Sequence, residues 1–183
     1  MGFKRLETRL AGLVLIEPAV LPDARGFFLE TYRRDDYREL GIDVEFVQDN
    51  HSRSQAGAIR ALHFQLDPGQ AKLVRAACGA VYDVVIDLRR DSPTFGRHEA
   101  FELSDSNHRQ LFVPVGFAHG FCVTSDIADV TYKVSSYYDA ASERGIAFDD
   151  PDIDVEWPVA DPLVSERDRT NPRLHEIADE LPW

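Results

Sequence analysis

Cysteine is scarce in this chain of 183 residues: only Cys78 and Cys122 occur. Both stand in apolar, strand-like surroundings and read most simply as buried free thiols rather than as a disulfide framework. Basic residues are also in deficit, with 20 Lys and Arg against 32 Asp and Glu and a formal net charge of −12. That balance argues against nucleic acid or an anionic membrane as a partner. It also means that an anionic small molecule would need a locally basic pocket inside a repulsive field. No apolar run approaches the length of a membrane span. Lys4, Arg5, Glu7 and Arg9 interrupt the N-terminus where a signal peptide would need apolar residues, so the cytoplasm is the expected location. Helical periodicity is scarce, and no internal repeat, linker or low-complexity tract interrupts the chain.

What is present is a succession of short apolar runs with period-two features, separated by Gly, Pro, Asp and Asn. The spacing predicts strands over 12–20, 26–32, 44–48, 58–64, 72–76, 81–88, 99–103, 110–113, 120–124 and 129–134. Turn signals between them include Asp67-Pro68-Gly69, Cys78-Gly79 and Ser92-Pro93-Thr94. Two short helices are expected: 35–40, capped by Asp35 and ended by Gly41, and 172–178, with Asn171 as N-cap and Pro172 at the first helical position. The length suits one domain, 1–183, which can bury roughly 70% of its unfolded surface without metal or disulfide. Many short strands in one domain imply an all-β sandwich or barrel. The Pro- and Asp-rich tail from Asp149 onward should wrap its outside.

The run Gly57-Ala58-Ile59-Arg60-Ala61-Leu62-His63-Phe64-Gln65, continued by Gln70-Ala71-Lys72, carries two kinds of side chain. Ala58 and Leu62 suit a core; Arg60, His63 and Lys72 do not. Gathering a guanidinium, an imidazole and an amine is costly unless an anionic ligand or a developing negative charge offsets them. Flanking cations disfavour the protonated imidazole, which makes His63 a candidate base. The alternative is three unrelated polar residues on an edge strand.

A matching segment lies in the second half, Pro114-Val115-Gly116-Phe117-Ala118-His119-Gly120-Phe121. It fits the P-x-G-x-x-H signature of the second cupin motif, whose histidine projects into a jelly-roll barrel. The first cupin motif, G-x5-H-x-H followed by Glu, is only half kept. Gly57 and His63 have the right spacing, but Gln65 replaces the second histidine and Gln70 stands near the place of the glutamate. Neutral amides are poor ligands for divalent transition metals, so a cupin barrel that has given up its metal is expected. His119 is then either a ligand contact or a turn histidine bonded to backbone.

Other segments are dense in polar and aromatic groups. In a strand through Tyr132-Lys133-Val134-Ser135, Tyr132 and Val134 share one face while Lys133 and Ser135 share the other. Gln48-Asp49-Asn50-His51-Ser52 ends an apolar run and could be an ordinary polar turn. Asp23-Ala24-Arg25-Gly26 puts an arginine at a tight turn, with Glu30 further along the next strand.

Together these segments resemble the dTDP-4-dehydrorhamnose 3,5-epimerase family of the cupin superfamily. The resemblance runs from about Asp23 to Asp168. It includes R-G-F-F-x-E, F-V-Q-D-N-x-S-x-S, I-R-x-L-H-F-Q, Q-A-K-L-V, V-Y-D-V-V-I-D-L-R, S-P-T-F-G, V-P-x-G-F-A-H-G-F and Y-K-x-S-x-Y-Y. Asp150-Pro151, Trp157-Pro158 and Ser165-Glu166-Arg167-Asp168 extend it. It implies a cupin-type jelly roll with a few short peripheral helices. It also implies cofactor- and metal-independent epimerisation at C3 and C5 of dTDP-4-keto-6-deoxyglucose, giving dTDP-4-keto-L-rhamnose. By resemblance, His63 is the general base, Asp168 its orienting carboxylate, Tyr132 the general acid and Lys72 the cation for the C4 oxyanion. Arg60 and His119 line the same pocket. Arg25, Glu30, Gln48, Asn50, Glu143 and Arg167 contact nucleotide and sugar, and Tyr138 stacks on the thymine. The resemblance further implies a homodimer whose N-terminal strands cross to the partner, so that Arg25 and Glu30 serve the neighbouring site.

Two positions depart from the family pattern. Ala61 replaces the glycine of R-G-L-H, and His98 stands where a tryptophan follows S-P-T-F-G-x. The first could tighten the pocket or shift the strand. An epimerase that inverts only one carbon is therefore an alternative, as are a metal-dependent cupin and a non-catalytic sugar-nucleotide-binding module. The metal-dependent cupin needs more imidazole or carboxylate ligands than His63 and His119 supply.

Overall fold

The computed structural model describes residues 2–183. In chain order its elements are β1 (Phe3–Leu6), β2 (Val14–Pro18), β3 (Leu21–Asp23), β4 (Gly26–Phe28), α1 (Arg34–Glu39), β5 (Gln48–Gln55), β6 (Ala58–Gln65) and β7 (Lys72–Cys78). They continue with β8 (Ala80–Asp87), β9 (His98–Ser104), β10 (Gln110–Val113), β11 (Phe117–Val123), β12 (Ile127–Val134), β13 (Glu143–Gly145) and β14 (Leu163–Val164). Two short helices, α2 (Glu166–Arg169) and α3 (Leu174–Ile177), and a 3₁₀ turn over Ala178–Glu180 complete the chain. One sheet has the order β1-β2-β10-β7-β12-β5 and the other β13-β6-β11-β8-β9, with β14 added parallel to β6; β3 and β4 form a separate hairpin. This is the all-β class expected from the strand density, in the jelly-roll architecture that the family resemblance implied.

The alternation of side chains explains how the sheets close. Leu15, Val74, Val81, Val85, Leu103, Leu111, Phe121 and Val130 meet between the sheets in one apolar cluster. The opposite face of the β6–β11–β8 sheet is also apolar, through Ile59, Leu62, Phe64, Val84, Ile86 and Cys122. The tail covers it with Ile153, Leu174, Ile177 and Leu181, so the tail wraps the barrel as expected. Around α1, Tyr37 and Ile42 cover Val14, Ile16, Leu73 and Phe112 on the outside of the other sheet.

Several boundaries differ from the sequence expectation. The expected strand at 44–48 begins instead at Gln48 and runs through the polar residues to Gln55. Polar residues fill both its faces, because the strand lies on the rim of a cavity and alternates between cavity and solvent. Hydrophobic pattern alone does not register such a strand. The strand expected at 120–124 starts at Phe117, which puts His119 on a strand rather than in a turn. The strand expected at 26–32 shortens to Gly26–Phe28. Helix α1 has Arg33 rather than Asp35 as its N-cap, although Gly41 ends it as expected with a φ of +94°. For α3 the N-cap is Arg173, whose backbone N–H is bonded by Glu176, rather than Asn171. Helix α2 was not expected; the Ser165 hydroxyl caps it by accepting from the Asp168 N–H.

Candidate active site

Strand β6 turns one face of the barrel polar by means of a bulge. Opposite it on β11, His119 faces His63 and Phe121 faces Arg60, so Ala61 and Leu62 together oppose Gly120. In a regular strand Arg60 and His63 would point to opposite faces. The extra residue restores them to one face, and both line the same cavity of about 840 Å³. Ala61 and Leu62 turn outward instead into the apolar layer beneath the tail. Glycine at position 120 fits this crossing, because a Cβ there would lie 2.6 Å from that of Ala61. The departure at Ala61 therefore packs on β11 and is not part of the cavity wall. His98, the other departure, bonds the Ile153 carbonyl at 3.0 Å and also lies off the wall.

Most of the sequence-predicted residues converge here. Asn50, Arg60, His63, Lys72, His119, Tyr132, Tyr138, Glu143, Arg167 and Asp168 all line the cavity. Strand β6 supplies His63 from one sheet, while β7 and β12 supply Lys72 and Tyr132 from the facing sheet. The short α2 brings Asp168 to the imidazole, with Nε2 of His63 2.7 Å from the carboxylate. Burial alone would raise the Asp168 carboxyl; the hydrogen bond and charge of His63 outweigh it and lower it. The flanking cations anticipated around His63 are arranged differently. Lys72 donates from Nζ to the His63 backbone carbonyl at 3.1 Å, and Arg60 is held by the Ser54 hydroxyl at 2.9 Å. The ring itself faces a carboxylate.

Lys72 is only 8% exposed. Burial pushes its amine down to about 8, with Glu143 and Asp83 acting the other way. The Tyr132 phenol is raised, chiefly by burial, so it holds its proton at neutral pH. His119 is neither a turn residue nor bonded to backbone: its Nε2 lies 2.9 Å from the carboxylate of Asp83, which is wholly buried. Asp83 is the residue that the sequence reading passed over. An acidic residue in the middle of Val81-Tyr82-Asp83-Val84-Val85 was the available sign, since a buried carboxylate needs a partner.

At the cavity mouth the Tyr138 hydroxyl donates to Glu143 at 3.0 Å, and Arg167 pairs with the same carboxylate at 2.5 Å. Gln48 does not line the wall; its side chain accepts from the Tyr138 N–H at 3.3 Å and donates to Asn50 at 2.8 Å. Arg25 and Glu30 do not reach this cavity. Arg25 sits at the tip of the β3–β4 hairpin, paired with Asp23 at 2.6 Å, and Oε2 of Glu30 is buried without a hydrogen-bond partner. Among the described residues, no three His, Cys, Asp or Glu side chains stand together as a metal-binding group.

Comparison with known proteins gives this geometry a family. A family model described as dTDP-4-dehydrorhamnose 3,5-epimerase matches residues 7–176. The dTDP-4-dehydrorhamnose 3,5-epimerase of Shigella flexneri is 48% identical over 165 residues, covering 89% of this chain and 91% of that protein. The crystal structure of the dTDP-6-deoxy-D-glucose-3,5-epimerase of Legionella pneumophila Philadelphia 1, in complex with dTDP-4-keto-L-rhamnose, superposes with a TM-score of 0.95. It is 43% identical and the match covers 98% of this chain and 97% of the other. A dTDP-4-dehydrorhamnose 3-epimerase of Streptomyces niveus is 41% identical over 172 residues, 93% of this chain and 83% of that protein. With a family match over nearly its whole length and relatives of this similarity, the chain belongs to the dTDP-4-dehydrorhamnose 3,5-epimerase family.

Proposed function

We propose that this protein epimerises dTDP-4-keto-6-deoxyglucose at C3 and C5 to dTDP-4-keto-L-rhamnose, in the cytoplasm and without a cofactor. The observation that carries the proposal is the opposition of His63 on one sheet, paired with Asp168 of α2, and a protonated Tyr132 on the other sheet, across one cavity. The C4 ketone acidifies the protons on its neighbouring carbons. His63 takes one of them, and the C–H electron pair moves onto the C4 oxygen as an enolate. Lys72 offsets that negative charge, while Asp168 orients the imidazole and stabilises the imidazolium. Tyr132 then gives its proton to the same carbon from the opposite ring face, and the configuration inverts. Solvent returns the proton balance between base and acid. Arg60, His119, Asn50, Glu143 and Arg167 hold the nucleotide and sugar, with Tyr138 stacked on the thymine and Gln48, off the wall, supporting Asn50 and Tyr138.

Arg25 and Glu30 fit this scheme through a homodimer. The β3–β4 hairpin exposes Leu21, Phe27 and Phe28, and β5 ends its sheet with one edge unpaired. Both features suit N-terminal strands that cross to a partner and carry Arg25 and Glu30 to the neighbouring cavity. Sedimentation should give a dimer, and a monomer with full activity would refute the exchange.

The test of the reaction is NMR of the dTDP-keto sugar in heavy water with catalytic amounts of enzyme. Deuterium at both C3 and C5 with inversion at both is the expected result. Exchange at C3 alone would instead match the activity named for the Streptomyces niveus relative.

A further inference from the structure

The two amides that stand where a cupin would place metal ligands are both engaged, and with the same short segment. Gln65, 4% exposed, accepts from the Asp139 N–H at 3.0 Å through Oε1. Its Nε2 faces the Ser136 hydroxyl and the Tyr137 carbonyl, each at 3.4 Å. Gln70 donates from Nε2 to the Ser136 carbonyl at 2.9 Å. These bonds bracket Tyr138 from both sides in sequence. Tyr138 itself is 56% exposed, and only its hydroxyl and its N–H are tied down. Packing does not fix this ring, so its place depends on the Glu143 bond at its far end and on the backbone on which it stands.

We propose that Gln65 and Gln70 are positioning residues for nucleotide recognition, locking the 135–139 segment so that Tyr138 is a preformed platform for the base. The inference rests on the reading of Tyr138 as the thymine stack. Its chemical basis is the side chain required at each position. The segment presents the Asp139 N–H to be accepted and carbonyls to be donated to. The Gln65 amide is long enough to do both and the Gln70 amide donates, whereas an ionised carboxylate accepts only. A glutamine is therefore suited to the clamp for the same reason that it is a poor metal ligand. Holding the platform in place before binding removes an ordering cost from the binding step, and the gain appears in affinity rather than in the chemical step.

The experiment measures the dissociation constant of thymidine diphosphate by calorimetry, together with KM and kcat. The variants are Gln65→Leu, Gln70→Leu, Tyr138→Ala and the Gln65→Leu/Tyr138→Ala pair. Gln65→Leu should weaken thymidine diphosphate and raise KM about tenfold, the order expected for loss of its hydrogen bonds, with kcat within about twofold. In the Tyr138→Ala background the same change should cost less than about twofold, because its effect passes through the ring. If Gln65→Leu does not fold, Gln65→Glu takes its place; it keeps the acceptor for Asp139 and loses the donor. A fall in kcat at constant KM, additive losses in the pair, or unchanged affinity in the Gln65 and Gln70 variants would overturn the positioning role. Unchanged affinity in Tyr138→Ala alone would overturn both this role and the reading of Tyr138 beneath it.

Discussion

Replacing Lys72 by methionine tests the electrostatic half of the proposed chemistry. Methionine keeps the length and apolar stem of lysine and removes the ammonium. The size of the effect follows from the burial of that ammonium. Burial lowers its pKa from 10.5 to about 8. At roughly 1.4 kcal/mol per pKa unit, the folded protein disfavours the cation by ~3 kcal/mol. An enolate oxygen forming beside it recovers an energy of that order, and the ketone of the ground state recovers far less. Lys72→Met should therefore lower kcat by ~10²-fold, in the range seen when one stabiliser of transition-state charge is removed. The variant should fold at least as well as the parent, since a desolvated cation has been taken out. The parent should also lose kcat/KM as pH rises through about 8, where the amine gives up its proton, and the variant should lack that limb. The assay is turnover of the dTDP-keto sugar across pH 6–10, with deuterium exchange at C3 and C5 followed by NMR. A variant with near-normal kcat and only a raised KM would refute the reasoning and make Lys72 a binding residue.

Tyr132→Phe should separate exchange from inversion: His63 can still remove and return a proton on its own face, so deuterium enters while the epimer does not form. Normal inversion in that variant would assign the acid to another group or to water. Asp87 is wholly buried; burial would raise its carboxyl, but hydrogen bonds from Arg89, Ser92 and Thr94 outweigh it and hold it down to about 2. Its stabilising contribution of roughly 2 kcal/mol is thus complete above the unfolded value near 3.8 and disappears as pH falls toward about 2. Denaturation of Asp87→Asn against pH should show a deficit at neutral pH that closes in this acid window, and a constant deficit would contradict it. Ala61→Gly should cost ~0.5–1 kcal/mol of stability and leave KM and the ratio of epimers unchanged, because Ala61 packs on Gly120 away from the cavity. A changed epimer ratio would show that the methyl shapes the site after all.

The all-β class and the positions of most of the longer strands were legible in the sequence, because apolar alternation and turn residues are local properties, whereas the short β1, β3, β13 and β14 were not. Residues 110–113 were placed without error for this reason, and the tail was read as a wrapping from its Pro and Asp content, although its β14 also joins the sheet beside β6. The chemical character of His63, Lys72, Arg60 and His119 was equally local: cations and imidazoles stood in apolar runs. Tertiary structure alone decided how they meet. A bulge set by pairing with β11 puts Arg60 and His63 on one face, which a regular period of two would have forbidden. The partner of His119 is a carboxylate 36 positions away, and that of His63 lies 105 positions away on a helix too short to show in any periodicity. The polar strand β5 escaped detection because its environment is a cavity rim, a condition that exists only once both sheets have closed. Residue chemistry is written along the chain, whereas facing, burial and pairing depend on contacts between distant segments, and it is those contacts that make a site of these residues.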